Sequence, residues 1–170
     1  MMIRSATLAI ALTLAATAAM AEGEPQNLGQ FGDWSANSYD GKDGKVCYII
    51  AKPKASQPAT AKRDPIWFIV THRPKANVRN EVSTEIGYTF KADTPVALSI
   101  DGNAYSLSIT KESSAWAADA AKDRQIVAAL KKGNKLVVNG VSWRGTKTSD
   151  SYSLDSITAA LDKIDEACQP

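Results

Sequence analysis

The chain has 170 residues, 22% of them charged, and its 20 Lys and Arg against 18 Asp and Glu leave a formal charge of +2. So small an excess, spread through the chain without a charge block, does not imply nucleic acid or an anionic membrane as partner. One histidine, with no cysteine or carboxylate cluster around it, excludes a His-rich metal site.

Met1-Met-Ile-Arg4 leads into a run of apolar and small residues from Ala6 to Ala19, and Ala19-Met20-Ala21 has the small-x-small form of a cleavage site. Residues 1–21 are therefore predicted to be a secretory signal peptide. The run is shorter than the roughly 20 residues a membrane span needs, and no later stretch is long and apolar enough to cross. About 150 residues remain, the usual size of one domain with a single core. Losing Arg4 takes the formal charge from +2 to +1.

Residues 22–30, with Pro25, read as a flexible lead-in, and residues 31–170 as the domain. Phe31-Gly-Asp-Trp34 places aromatics on either side of a turn, and a short strand follows to Ser38. Asp40-Gly-Lys-Asp-Gly44 is a hairpin loop whose aspartates lack the ligand register of a calcium loop. Val46 to Lys52 is the next strand, with Cys47 and Ile49 on one face. Pro53 to Pro65 is expected to be an exposed loop, its basic residues Lys52, Lys54, Lys62 and Arg63 solvated.

Ile66-Trp-Phe-Ile-Val-Thr71 reads as a central strand covered on both faces, Phe68 and Val70 on one and Trp67 and Ile69 on the other. His72 ends it in a structural role, and Pro74 keeps the connector 73–80 out of the ladder. From Glu81 to Phe90, Val82, Ile86, Tyr88 and Phe90 are expected inward, and Glu81, Ser83, Glu85 and Thr89 outward. Val96 to Ile100, the hairpin signal Asp101-Gly102, and Tyr105, Leu107 and Ile109 continue the pattern.

Trp116 is a packing aromatic ahead of a helix over Asp119–Lys132, whose core side is Ile126, Val127 and Leu130, with Gly133 past its end. Leu136 to Trp143 is a strand in which Asn139-Gly140 is expected to form a bulge, and Lys147 to Leu154 is a polar strand. Asp155 stands at the N-cap position of a last helix. Ile157, Ala160, Leu161 and Ile164 share its apolar face, and Cys168 continues the stripe. Two cysteines in an oxidising compartment are expected to bond, and in the chain-entropy model a Cys47–Cys168 bridge is worth on the order of 4–5 kcal/mol. The expected fold is mainly β: an antiparallel β-sandwich or open barrel, with one mid-chain helix and a C-terminal helix tied back by the disulfide.

These residues resemble the invasion-associated locus B family of exported bacterial proteins, across nearly the whole chain after the leader. The resemblance is carried by Phe31-Gly-Asp-Trp34, Val46-Cys-Tyr48, Arg63-Asp-Pro65, Arg73-Pro74, Asn77-Val-Arg-Asn-Glu-Val-Ser83, Gly87-Tyr88 and Phe90. It continues in Ala115-Trp116, Lys132-Gly133, Arg144-Gly-Thr146, Thr148, Asp150, Tyr152-Ser-Leu154, Ala159-Ala160 and Cys168. Some relatives carry an extra mid-chain cysteine pair; this chain has none, so one bridge is expected. The resemblance implies a β-rich periplasmic or secreted domain with no established reaction or cofactor. It also implies a link to host-cell invasion, beside a more general envelope role.

Glu81 and Glu85 share a strand face, but their backbones stand roughly 13 Å apart at the rise of a strand. A glycosidase pair needs about 5–9.5 Å, so a carboxylate-based hydrolase of an envelope glycan would need Asp101 or Asp150 as the second member. There is no Gly-x-Ser-x-Gly, no free thiol once the cysteines bond and no phosphate-binding glycine loop. A non-catalytic binding module is the preferred reading, with Arg73, Arg79, Asn80 and Glu81 and Arg144, Thr146, Thr148 and Asp150 as one polar surface for a protein or glycan. The competing reading is structural. Arg144 would pair with Asp150, and Arg79 would hold its loop through backbone carbonyls. No cofactor or metal is implied, and the partner and oligomeric state stay open.

Overall fold

Alternating apolar side chains build two antiparallel sheets that share one core. The computed structural model describes residues 23–169, so the expected signal peptide lies outside the described residues. The strands are β1 (Gln26–Phe31), β2 (Trp34–Gly41), β3 (Gly44–Ala51), β4 (Ala55–Gln57), β5 (Trp67–Arg73) and β6 (Val78–Glu85). They continue as β7 (Val96–Ile100), β8 (Asn103–Leu107), β9 (Ile109–Lys111), β10 (Ser114–Trp116), β11 (Lys135–Val141) and β12 (Lys147–Ser153). Two helices complete the set, α1 (Ala120–Leu130) and α2 (Ile157–Ala167). One sheet has seven strands in the order β1-β2-β3-β5-β6-β10-β9, and the other has five in the order β4-β12-β11-β7-β8. Neither closes on itself, so the fold is a sandwich rather than a barrel.

The register explains how one face of the larger sheet is covered. Ser38, Cys47 and His72 are cross-strand neighbours, as are Ala36, Ile49 and Val70. By the two-residue period these residues share a face with Trp34, Ala51 and Phe68, and all of them are buried. The second sheet covers one end of that face. Trp34 stacks edge-on against Phe68, Phe68 meets Tyr152 of β12, and the Trp34 indole donates to the Ser153 carbonyl at 3.0 Å. Helix α2 covers the other end with Ile157, Ala160, Leu161 and Ile164, all buried. There Cys168 bonds to Cys47 across a Cα separation of 6.0 Å. The apolar stripe of α2 ends at the cysteine that fastens it.

Helix α1 starts at Asp119, whose carboxylate accepts from the Ala121 and Lys122 amides. Its Asp123 accepts the Val82 amide at 2.9 Å, capping β6 where β10, paired only with Ser83–Glu85, has ended.

Several expectations are corrected. Residues 26–30, read as a loose lead-in, belong to β1, which pairs with β2. The segment 53–65 is a crossover: it leaves β3, adds β4 to the second sheet beside β12 and returns as β5. Of the four apolar residues expected to be covered on both faces of β5, Phe68 and Val70 are fully buried. Trp67 and Ile69 are half-buried, Trp67 with the Lys52 ammonium 4.9 Å above its ring. β6 begins at Val78 within the expected connector and ends at Glu85; Phe90 makes only an isolated bridge to Ser142. Asn139-Gly140 forms no bulge, because β11 and β12 pair without a register break. Glycine is needed there because a Cβ on Gly140 would strike Ile86 and the Tyr88 hydroxyl. Asp155 does not cap α2. Ser156 takes the cap position without a side-chain hydrogen bond, and the Leu154 carbonyl receives the Ile157 amide.

Candidate functional site

The crossover places one basic side chain where a loop reading does not expect it. Arg63 turns inward between the sheets, its side chain 5% exposed, and meets Asp150 of β12, whose side chain is fully buried. Both terminal guanidinium nitrogens engage the carboxylate: Nη1 donates to Oδ1 at 2.8 Å and Nη2 to Oδ2 at 2.6 Å. Nε and Nη2 also donate to the Ile86 carbonyl at 2.9 and 2.7 Å. A rigid planar fork makes this double arrangement possible. Tyr88 lies under the same guanidinium, 5.2 Å from ring centre to carbon, and its hydroxyl shares a 2.6 Å hydrogen bond with Thr148. Burial raises the Tyr88 pKa above the usual phenol value and keeps that hydroxyl protonated. Gly87, at φ +76°, lets the Asp64 carbonyl lie where a side chain would stand, and the Asp64 amide donates back to the Gly87 carbonyl at 3.1 Å.

Above this buried floor stands the turn 142–146, which joins β11 to β12. Its backbone is closely held. The Ser142 amide donates to the Thr146 carbonyl at 2.9 Å, the Gly145 amide to the Ser142 carbonyl at 2.7 Å, and the Trp143 amide to the Thr89 carbonyl at 2.9 Å. The Ser142 hydroxyl accepts the Thr146 amide at 3.2 Å. Trp143, expected to end a strand, is carried on this turn and is 61% exposed. The Arg144 guanidinium lies 4.7 Å from its ring centre, a cation–π contact. A groove of about 440 Å³ runs beneath, bounded by Pro58 and Lys62 of the crossover, Arg63 and Tyr88 of the floor, and Trp143, Arg144, Thr146 and Thr148.

Of the eight polar residues expected to form one surface, Arg144, Thr146 and Thr148 border this groove, and Asp150 lies below it. Arg73, Arg79 and Glu81 border a different groove of about 560 Å³, formed with Trp116 and Asp123, toward the start of β6. Arg73 pairs with Glu81 at 2.6 Å. Asn80 has φ +63°, and its amide donates to His72 Nδ1 at 3.0 Å. His72 Nε2 therefore carries the ring proton and donates to Asp165 at 2.9 Å. The structural alternatives are also corrected: Asp150 pairs with Arg63, not Arg144, and Arg79 reaches Asp165 at 2.7 Å rather than loop carbonyls.

The carboxylates considered for hydrolysis are each engaged. Glu81 is held by Arg73, Glu85 by the Ser113 and Ser114 hydroxyls, Asp101 by the Asn134 and Lys135 amides, and Asp150 by Arg63. Among the described residues no carboxylate borders the Trp143 groove. Among the described residues no group of three or more His, Cys, Asp or Glu side chains is placed to hold a metal ion. Asp123 was not singled out from sequence, yet it is buried beside Glu81 and Asp119. Burial first, and those neighbouring charges after it, raise its pKa above the ordinary carboxylate value, against the lowering effect of the Val82 amide.

Residues 34–165 match the model of the family described as Invasion associated locus B (IalB) protein. No curated protein sequence matches the chain. A solved structure, the crystal structure of invasion associated protein B from Bartonella henselae, is similar in fold, with a TM-score of 0.57 and 18% identity. The likeness covers 82% of this chain and 96% of that one.

Proposed function

This chain belongs to the invasion associated locus B family, and on that premise we propose that it is an exported, non-catalytic protein of the bacterial cell envelope that engages a protein or envelope component through the turn bearing Trp143 and Arg144. One observation carries the reading. A tryptophan 61% exposed is presented on a turn whose backbone is fixed by its own hydrogen bonds, above a floor anchored by a buried ion pair. Exposed aromatics held rigidly give large contact area at little ordering cost, which is why they recur as anchors of recognition surfaces. Arg144, Thr146 and Thr148 make the contact, Asp150 supports it through Arg63, and the ion-paired Arg73, Arg79 and Glu81 frame the second groove, with Asn80 held beside it by its amide bond to His72.

Export is supported by the signal-like leader and by a single disulfide that leaves no free cysteine among the described residues. No helix among the described residues is long and apolar enough to cross a membrane. The Bartonella structure is named for invasion. For this chain the broader envelope role is proposed, with host-cell contact as one setting in which it would act.

Affinity capture from solubilised envelope fractions tests the reading, comparing the oxidised wild-type protein with a Trp143→Ala/Arg144→Ala variant. A component retained by the wild type and lost with the variant is expected; identical recovery by both removes the site.

A further inference from the structure

Resting on that assignment of the site, we propose that the groove beneath Trp143 binds an acidic saccharide, a sugar chain bearing carboxylates, with Trp143 as the stacking platform and Arg144 and Lys62 as the anion contacts.

The charge of the groove points to an anion. Its cations are Lys62, Arg63 and Arg144, and among the described residues no carboxylate borders it. Arg63 is neutralised by Asp150, whereas Lys62 and Arg144 make no ion pair among the described residues. Exposed Lys147, on the far side of Thr148 and likewise unpaired, extends the positive field. Uncompensated charge of one sign concentrated at a concave surface attracts the opposite charge.

The remaining lining favours a sugar over a peptide. Hydroxyls of Thr60, Tyr88, Ser142, Thr146 and Thr148 border the groove. Tyr88 and Thr148 share one hydrogen bond, so one of their two O–H groups is the donor and the other keeps its own proton for a further partner. The exposed indole adds an apolar face with a polar edge, which suits a ring that presents C–H on its faces and hydroxyls on its rim. A peptide binding by strand addition would instead need a free strand edge. The nearest one, β4, is three residues long and is closed by Pro58, which has no amide to donate. A volume of about 440 Å³ is that of a small-molecule site.

The test is calorimetric titration of the oxidised domain with a galacturonate tetramer, a neutral glucose tetramer and a tetraglutamate peptide, repeated at higher salt. Saturable binding of the uronide is expected, weakening with salt, with the neutral tetramer and the peptide each at least about tenfold weaker. Trp143→Ala should abolish saturation, and Arg144→Ala and Lys62→Ala should each weaken it several-fold, with urea midpoints unchanged because all three side chains are on the surface. Equal affinity for the neutral sugar or the peptide, no saturable binding of the uronide, or uronide affinity untouched by Trp143→Ala would overturn the proposal. If envelope capture depends on Trp143 while the uronide fails to bind, the ligand class is wrong and the site stands. If capture itself is indifferent to Trp143, both fall.

Discussion

Arg63→Met tests whether the crossover is a structural strut or a solvated loop. The substitution keeps most of the side-chain volume but leaves a fully buried Asp150 carboxylate without its two charge-assisted partners, and the Ile86 carbonyl without two donors. Breaking a buried pair from one side costs about 3–5 kcal/mol, a large share of the roughly 5–15 kcal/mol that holds a domain together. For a domain of this size each kcal/mol moves the melting temperature by about 2–4 °C, so a fall of roughly 6–20 °C is expected. Arg63→Met/Asp150→Leu should recover much of the loss, since an apolar pair leaves no stranded charge. Urea denaturation of the oxidised single and double variants closes the cycle and isolates the coupling. A cost below about 1 kcal/mol for Arg63→Met, within the range of a surface ion pair, would refute the reasoning and restore the solvated loop.

Three further outcomes follow from single contacts. Reducing the Cys47–Cys168 bond, which spans 121 positions, should lower stability by about 5 kcal/mol in the chain-entropy model; an unchanged urea midpoint with both thiols titrating free would contradict it. Because burial raises the Asp123 pKa, the native state binds more protons than the unfolded one between the ordinary and the raised value. Stability should therefore fall as pH rises through that window. Asp123→Asn, whose amide oxygen can still accept from Val82, should remove this part of the slope, and an identical slope in urea melts from roughly pH 4 to 7 would count against it. Gly87→Ala forces a side chain into a left-handed position and against the Asp64 carbonyl, at a cost of about 1–3 kcal/mol. Hydrogen exchange at the Asp64 amide should quicken with it, and unchanged protection there would show that Gly87 does not hold the crossover.

The parts of the fold legible beforehand were those fixed by local period. The stripe Ile157, Ala160, Leu161, Ile164 and Cys168 pointed to the helix and its tether, and Asp101-Gly102 to its hairpin. What could not be read depends on partners remote in the chain. Arg63 looks solvated because its carboxylate lies 87 residues away, and β4 is too short to show a pattern. Gly140 mimics a hairpin signal when its real constraint is contact with Ile86 and Tyr88. Arg144 and Asp150 are close enough in sequence to invite pairing, yet they fall on opposite sides of the turn's floor. At the candidate site, Arg63-Asp-Pro65, Gly87-Tyr88 and Arg144-Gly-Thr146 were visible as separate motifs. Nothing local showed that they converge, or that Trp143 between them faces solvent.

Photo-crosslinking in the living cell tests most directly whether this turn touches a partner. A photoreactive phenylalanine analogue at position 143 is compared with one at Tyr105, half-buried beside α1 and distant in sequence from the turn. A discrete adduct from position 143, absent from position 105 and diminished by Arg144→Ala, is the expected result. No adduct from position 143, or the same adducts from both positions, would contradict the assignment of this turn as the binding surface.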